Sequence, residues 1–482
     1  MGEATKGIQK VQYRVLNDSQ CAEVVESAYR ILENTGCIIH NQEARKILEK
    51  EGCQVEGELV KIPAALTRWA VEKAPSTVAL YDRDGNAAMV LEPGNVYFGP
   101  AITITQIDDL ETGKRRASVK QDSANAAILI DSLENISWVS PCTSASDVDA
   151  SVADLAELHA ILPNTRKPVM YWSQNCKNLE YQFEMFEAVA GSAERLREKP
   201  FMINLVCPMD PLTHTDDGMA QLMYLAKKQA PAVYIAGIGF GLSGPITLAG
   251  GIAIGMADTL AGLVVSQLVS PGTPFVVSKF SDNVNMRTMS VTHSNPEMLL
   301  ANAATADIFR YMKLPFCSNF PGTDCGVFDQ VAAFDKSVQT YTAILSGTNM
   351  NFAMGAYESG AYAKFADMVF GNEIIGFLKV LTGGMEVSEE TLAEDVIDEV
   401  GPGGVFFAEE HTLEHLHDFW EADLLSPRTS GEWEASGRQN VEDILNQRVK
   451  EILEKGPSHP LAPEIVEKLD EIMGRAEKEL KS

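Results

Sequence analysis

One theme repeated eight times constrains this chain more than any other feature: a short β-branched or aromatic run followed by a longer amphipathic run. The short runs begin at Val96, Ile136, Pro168, Phe201, Ala232, Pro274, Pro315 and Asn349. Helix candidates follow at 124–133, 152–162, 179–196, 219–228, 247–269, 296–312, 329–345 and 364–381. Strand-then-helix units in series build a parallel sheet covered by helices. A doubly wound open sheet uses the same units, but eight in a row without a long crossover favour closure. The expected fold class is α/β, a (β/α)8 TIM barrel, with chemistry at the C-terminal ends of its strands.

The flanks read differently. Residues 1–90 form an expected helical N-terminal region, in which Cys21–Gly36 shows apolar residues at helical spacing and a glycine stop. The barrel is expected over 91–384. After Gly383-Gly384 the composition turns acidic, and the amphipathic stretches Val441–Leu453 and Pro463–Leu480 make 385–482 a helical C-terminal region. Val96–Pro100, then 101–108 and the turn at 109–114 suit a hairpin at the edge of something larger, with Lys114, Arg115 and Arg116 solvated beside that turn.

Charge narrows the function. Against 67 Asp and Glu stand 39 Lys and Arg, a net charge of −28, and such a field repels phosphate backbones and anionic membrane surfaces. Nucleic acid and membrane are therefore not expected partners. The eight cysteines include no CxxC, in a chain too large to need disulfide staples. No apolar leader opens the sequence, and Met1-Gly2 is followed by Lys6 where myristoylation needs Ser or Thr. A cytoplasmic protein is expected.

Two motifs carry chemistry elsewhere. Gly239-Phe240-Gly241-Leu242-Ser243-Gly244 matches the dinucleotide pattern G-x-G-x-x-G between a strand and a helix. Pro245 follows at once and the motif lies mid-series, so a close-packed, glycine-rich loop competes with nucleotide binding. His411-Thr412-Leu413-Glu414-His415 fits H-x-x-E-H, in which two histidines bind zinc and the glutamate activates water. It sits outside the barrel in an acidic helix, where surface histidines are common, and no third ligand stands at typical spacing. Strand ends carry Tyr97, Trp172, Asn204, Phe240, Phe280 and Asn351, with Tyr357 in the loop after the last strand. Such a ring suits a quaternary ammonium held by cation–π attraction. No Ser-His-Asp, Cys-His or paired-carboxylate spacing stands out, and His293 and Cys325 are isolated candidates.

Three segments together resemble the trimethylamine methyltransferase family. They are the block from Gly244 to Phe275, "GPITLAGGIAIGMADTLAGLVVSQLVSPGTPF", then "GTDCGVFDQVAAFD" at 322–335 and "GPGGVFFAEEHTLEHL" at 401–416. The resemblance implies a (β/α)8 barrel and makes the H-x-x-E-H stretch a family segment, with no metal expected. Members acting on trimethylamine carry pyrrolysine in the loop after the seventh strand. The matching stretch here, Thr323-Asp324-Cys325-Gly326, has only ordinary residues.

That departure implies a member without pyrrolysine, whose substrate nitrogen is already quaternary. The implied reaction moves a methyl group from a quaternary amine (glycine betaine, proline betaine, carnitine or similar) to Co(I) of a partner corrinoid protein. Cobalamin would come with that partner, with no tightly bound cofactor in this chain, and a homo-oligomer stays open. On this reading Tyr97, Trp172, Phe240, Phe280 and Tyr357 contact the ammonium methyls, while Asn204, Asn351 and His293 meet a carboxylate tail. Asp324, Cys325 and Gly326 are positioning residues, Asp324 supplying negative charge and Cys325-Gly326 leaving space. The competing readings are a metal-dependent barrel hydrolase using His411, Glu414 and His415, and a non-catalytic binder of quaternary amines.

Overall fold

The computed structural model describes residues 12–285, 287–288 and 290–481, with backbone alone at 280–283 and 285. Met1, Gly2 and Lys6 lie outside the described residues. Parallel strands pair in the order Tyr97–Pro100, Met350–Met354, Phe316–Ser318, Phe275–Asn285, Ala232–Phe240, Met202–Val206 and Val169–Trp172. The segment after Ile136 fills the remaining place. Its Ser137 N–H donates to the Phe98 carbonyl at 2.7 Å, and its Val139 N–H donates to the Pro168 carbonyl at 2.9 Å. The barrel thus closes, but the expected second strand is an extended connector with a single bridge, Val139 to Val169. Pro141 has no N–H to offer a ladder there, and the Cys142 N–H turns back to the Ser140 carbonyl.

Alternation along each strand sorts side chains between lumen and helices. Trp138, Met170, Ile203, Val233, Val276, Cys317 and Met350 fill the lumen as one buried cluster. Trp138 has its room because a Cβ on Gly99 would lie 2.1 Å from its indole. The hairpin Val78–Tyr81 and Ala87–Leu91 joins the same cluster through Val78, Leu80, Met89 and Leu91, plugging the end where the strands begin.

The region expected to be only helical is therefore mixed. Helices Asp18–Arg30, Gln42–Lys50 and Ala64–Lys73 accompany strands Cys37–Ile39, Gln54–Glu56 and Leu59–Lys61. Cys37–Ile39 pairs with Thr213–His214 from a barrel loop. Such short strands carry too few residues to show a period. At the other end, helix Val441–Lys455 packs on Phe365–Thr382, and helix Pro463–Leu480 packs on Cys176–Ala190.

The glycine-rich block is explained by packing. Helix Leu248–Val269 lies on the Ala232 and Phe275 strands, and its glycines admit side chains from them. A Cβ on Gly251 would lie 2.2 Å from the Phe240 ring, one on Gly255 2.5 Å from Lys279, and one on Gly262 2.5 Å from Tyr234. This helix is long and apolar enough to cross a membrane, yet 78% of its apolar window is buried against the barrel. Gly262→Ala is expected to cost about 1–3 kcal/mol through overpacking against Tyr234. A urea midpoint equal to that of the parent protein would contradict the close approach.

Candidate active site

The loops at the C-terminal ends of the strands build their own small sheet. Gln106–Asp108, Arg115–Ala117, Ala356–Tyr357 and Tyr362–Ala363 pair above the barrel. A hairpin turns at 109–114 as expected, between Gln106–Asp108 and Arg115–Ala117, while Tyr97–Pro100 belongs to the barrel; the arginines of the hairpin are engaged. Arg115 donates two hydrogen bonds to Glu358, at 2.9 and 2.7 Å, and lies 3.9 Å from the centre of the Tyr362 ring. Arg116 pairs with Asp109 and Asp122.

Below this sheet the upper lumen carries several apolar side chains, with Ser278 at the inward position after Val276. Ile102, Leu205, Ile235 and Phe352 belong to the lumen cluster. On the Ala232 strand the next inward positions are Gly237 and Gly239, which carry no side chain. Trp172 ends its strand on the lumen side, since Met170 lies in the lumen and Tyr171 packs outside on Phe186.

A buried carboxyl anchors Trp172. The indole N–H donates to Glu157 Oε2 at 3.1 Å, and the Ala145 N–H donates to Oε1 at 2.9 Å. Glu157 is wholly buried, and desolvation pushes its pKa up to about 8. Between about pH 4.5 and 8 the folded chain then holds a proton that the unfolded chain releases. Its contribution to stability is full at the acid end and is lost as pH rises through that window. Glu157→Gln is expected to flatten the fall of the urea midpoint over this range; an unchanged slope would assign the titration elsewhere.

Other expected site residues lie elsewhere. Tyr97 is at the opposite end of the barrel, where its hydroxyl accepts the Val90 N–H of the plug at 3.0 Å. Asn204 faces the helices and donates to Ser173 Oγ at 3.1 Å. Asn351 also faces outward and spends its amide on Ser318, Thr348 and the Tyr97 carbonyl. Phe240 packs outward, and the cation on its ring is the chain's own Lys279, with Nζ 4.4 Å from the centroid. Tyr357 is at the mouth but fully buried, donating to Asp367 at 3.2 Å with Lys336 Nζ 4.7 Å from its ring centre. The side chain of Phe280 lies outside the described ones.

The expected positioning loop does come together with His293. Asp324 accepts from the His293 N–H at 2.7 Å, the Ser294 N–H at 3.0 Å and Ser359 Oγ at 2.7 Å. Cys325 packs against the Tyr357 and Tyr362 cluster. A Cβ on Gly326 would lie 2.8 Å from Glu358 Oε1. Phe352 and Leu205, one residue along from Asn351 and Asn204, face the lumen in their place.

The model of the trimethylamine methyltransferase (MTTB) family matches residues 3–481. The chain belongs to that family. A trimethylamine methyltransferase of Desulfitobacterium hafniense (strain DSM 10664 / DCB-2) is 29% identical over 425 residues, 88% of this chain and 85% of that protein. A glycine betaine methyltransferase of Desulfitobacterium hafniense (strain Y51) is 27% identical over 476 residues, 97% and 98% of the two chains. Among solved structures, the monomethylamine methyltransferase of Methanosarcina barkeri superposes with a TM-score of 0.55 at 11% identity, over 92% of this chain and 89% of that one.

In this trimethylamine methyltransferase family member the G-x-G-x-x-G loop is no phosphate cradle. The N–H groups of Leu242, Ser243 and Gly244 all donate to the Gly239 carbonyl, and the Gly239 N–H donates to Ser243 Oγ at 2.9 Å. Glu414 is not placed with the two histidines of H-x-x-E-H; Glu390 is. The hydrolase arrangement expected from that motif, with Glu414 activating water, is therefore not formed.

Proposed function

We propose that this methyltransferase removes a methyl group from a quaternary ammonium compound and passes it to Co(I) of a partner corrinoid protein. Glycine betaine, proline betaine, carnitine and similar compounds are the substrate class. The observation that carries this reading is the Thr323–Gly326 loop, which offers no electrophile to capture a neutral amine. Its one carboxylate, Asp324, is spent on three hydrogen bonds that tie the loop to 293–294 and Ser359. An ammonium needs no such capture, because the C–N bond breaks with its electron pair returning to nitrogen and the amine leaves neutral. The near-complete alignment with a glycine betaine methyltransferase supports the same class.

On this reading the chain's work is to bind, orient and exclude water. Trp172, Phe352 and Leu205 enclose the ammonium methyls. Holding the reacting methyl in line can account for several kcal/mol of barrier lowering. No residue needs to move a proton.

The test mixes the enzyme with a reduced corrinoid protein and a panel of quaternary and tertiary methylamines, following the visible spectrum. Methylation of Co(I) with a quaternary compound and none with trimethylamine is the expected result. Methylation with trimethylamine alone would overturn it.

A further inference from the structure

We propose that Glu390, His411 and His415 form a structural metal site that takes a divalent transition-metal ion, Zn2+ by its donor set. Three ligand atoms, one from each residue, lie within 4.8 Å of one another. They come from separate segments: Glu390 from the short helix Glu389–Leu392, His411 from Glu410–Glu414, and His415 from its C-terminal cap.

His415 Nδ1 is 2.5 Å from Asp418 Oδ2, and its Nε2 is 2.8 Å from Glu390 Oε1, the contact whose place a metal ion would take. A carboxylate behind the distal nitrogen orients a ligating imidazole. The His411 ring lies 4.5 Å from that of His415, and its Nε2 is shielded from solvent with no hydrogen-bond partner among the described residues. Two imidazoles and a carboxylate are a zinc donor set.

The surrounding segment also needs a fastening. Among the described residues, none from Gly383 to Ile444 is buried, so this arm has no core of its own. Small units without a core are commonly held by a metal. Here the ion would clasp the start of the arm to its middle.

The full-length enzyme, stripped with chelator, is loaded with ZnCl2, desalted and measured for metal content. About one zinc per chain is expected, lost in His411→Ala and kept in His417→Ala, whose histidine lies outside the cluster. Zinc is also expected to slow proteolytic cleavage between 383 and 444 in the parent but not in His411→Ala. A parent that retains no zinc, or a His411→Ala/His415→Ala variant that retains as much as the parent, would overturn the site.

Discussion

On the proposed function, replacing Trp172 with alanine lowers kcat/KM for the quaternary ammonium substrate at least about tenfold, about 1.4 kcal/mol of transition-state binding. Trp172 lies at the end of its strand on the lumen side, half-buried, with its indole N–H fixed on Glu157. An indole held in one orientation loses little freedom when a cation arrives, and a desolvated cation–π contact contributes about 0.5–2 kcal/mol. Trp172→Phe keeps a ring but loses the anchor, and an intermediate loss is expected. Tyr97→Phe is the matched control, because it deletes only a hydroxyl bonded to the plug at the far end of the barrel. Kinetics unchanged in Trp172→Ala would remove this residue from the site.

The largest stability effect is expected at Lys336. Its ammonium is 2.8 Å from Asp367 Oδ2, with side-chain exposures of 3 and 1%. Asp367 also accepts the Gly355 N–H at 2.8 Å and the Tyr357 hydroxyl at 3.2 Å, and Lys336 donates to the Ala356 carbonyl at 3.2 Å. One ion pair thus holds the turn after the last barrel strand, where Gly355 sits at φ +86°. Lys336→Met leaves a buried carboxylate without its cation and is expected to cost about 3–5 kcal/mol, read as a lowered unfolding midpoint. Lys336→Met/Asp367→Leu, which removes both charges, is expected to recover much of that loss. A single variant as stable as the parent would show that Asp367 does not depend on the pair.

Strand order and closure were legible because each unit repeats a short apolar run and a long amphipathic one. Side-chain direction was not. In a parallel barrel both faces of a strand are buried, one against the lumen and one against helices, so runs such as "MINLV" and "MNFAM" show no polar alternation. Asn204 and Asn351 were therefore read as lumen residues, when Leu205 and Phe352 beside them face inward and the asparagines serve strand-to-helix hydrogen bonds. Phe240 was displaced by the same parity.

Tyr97 failed for another reason. It opens its strand instead of closing it, and only the position of the Val78–Leu91 hairpin shows that its hydroxyl is committed to the plug. Glu157 could not be foreseen at all. A glutamate on an amphipathic helix reads as solvated, and its burial follows from the helix docking beside Trp172.

The sequence by itself determined the parallel barrel, the family, and the loop without pyrrolysine, because these depend on residue order and local pattern. Tertiary structure alone decided which aromatic side chains reach the lumen, which cation occupies each ring, and that Glu390, not Glu414, meets His411 and His415. Those outcomes depend on a one-residue choice of strand face and on contacts between segments far apart in the chain, and neither leaves a periodic trace in the order of residues.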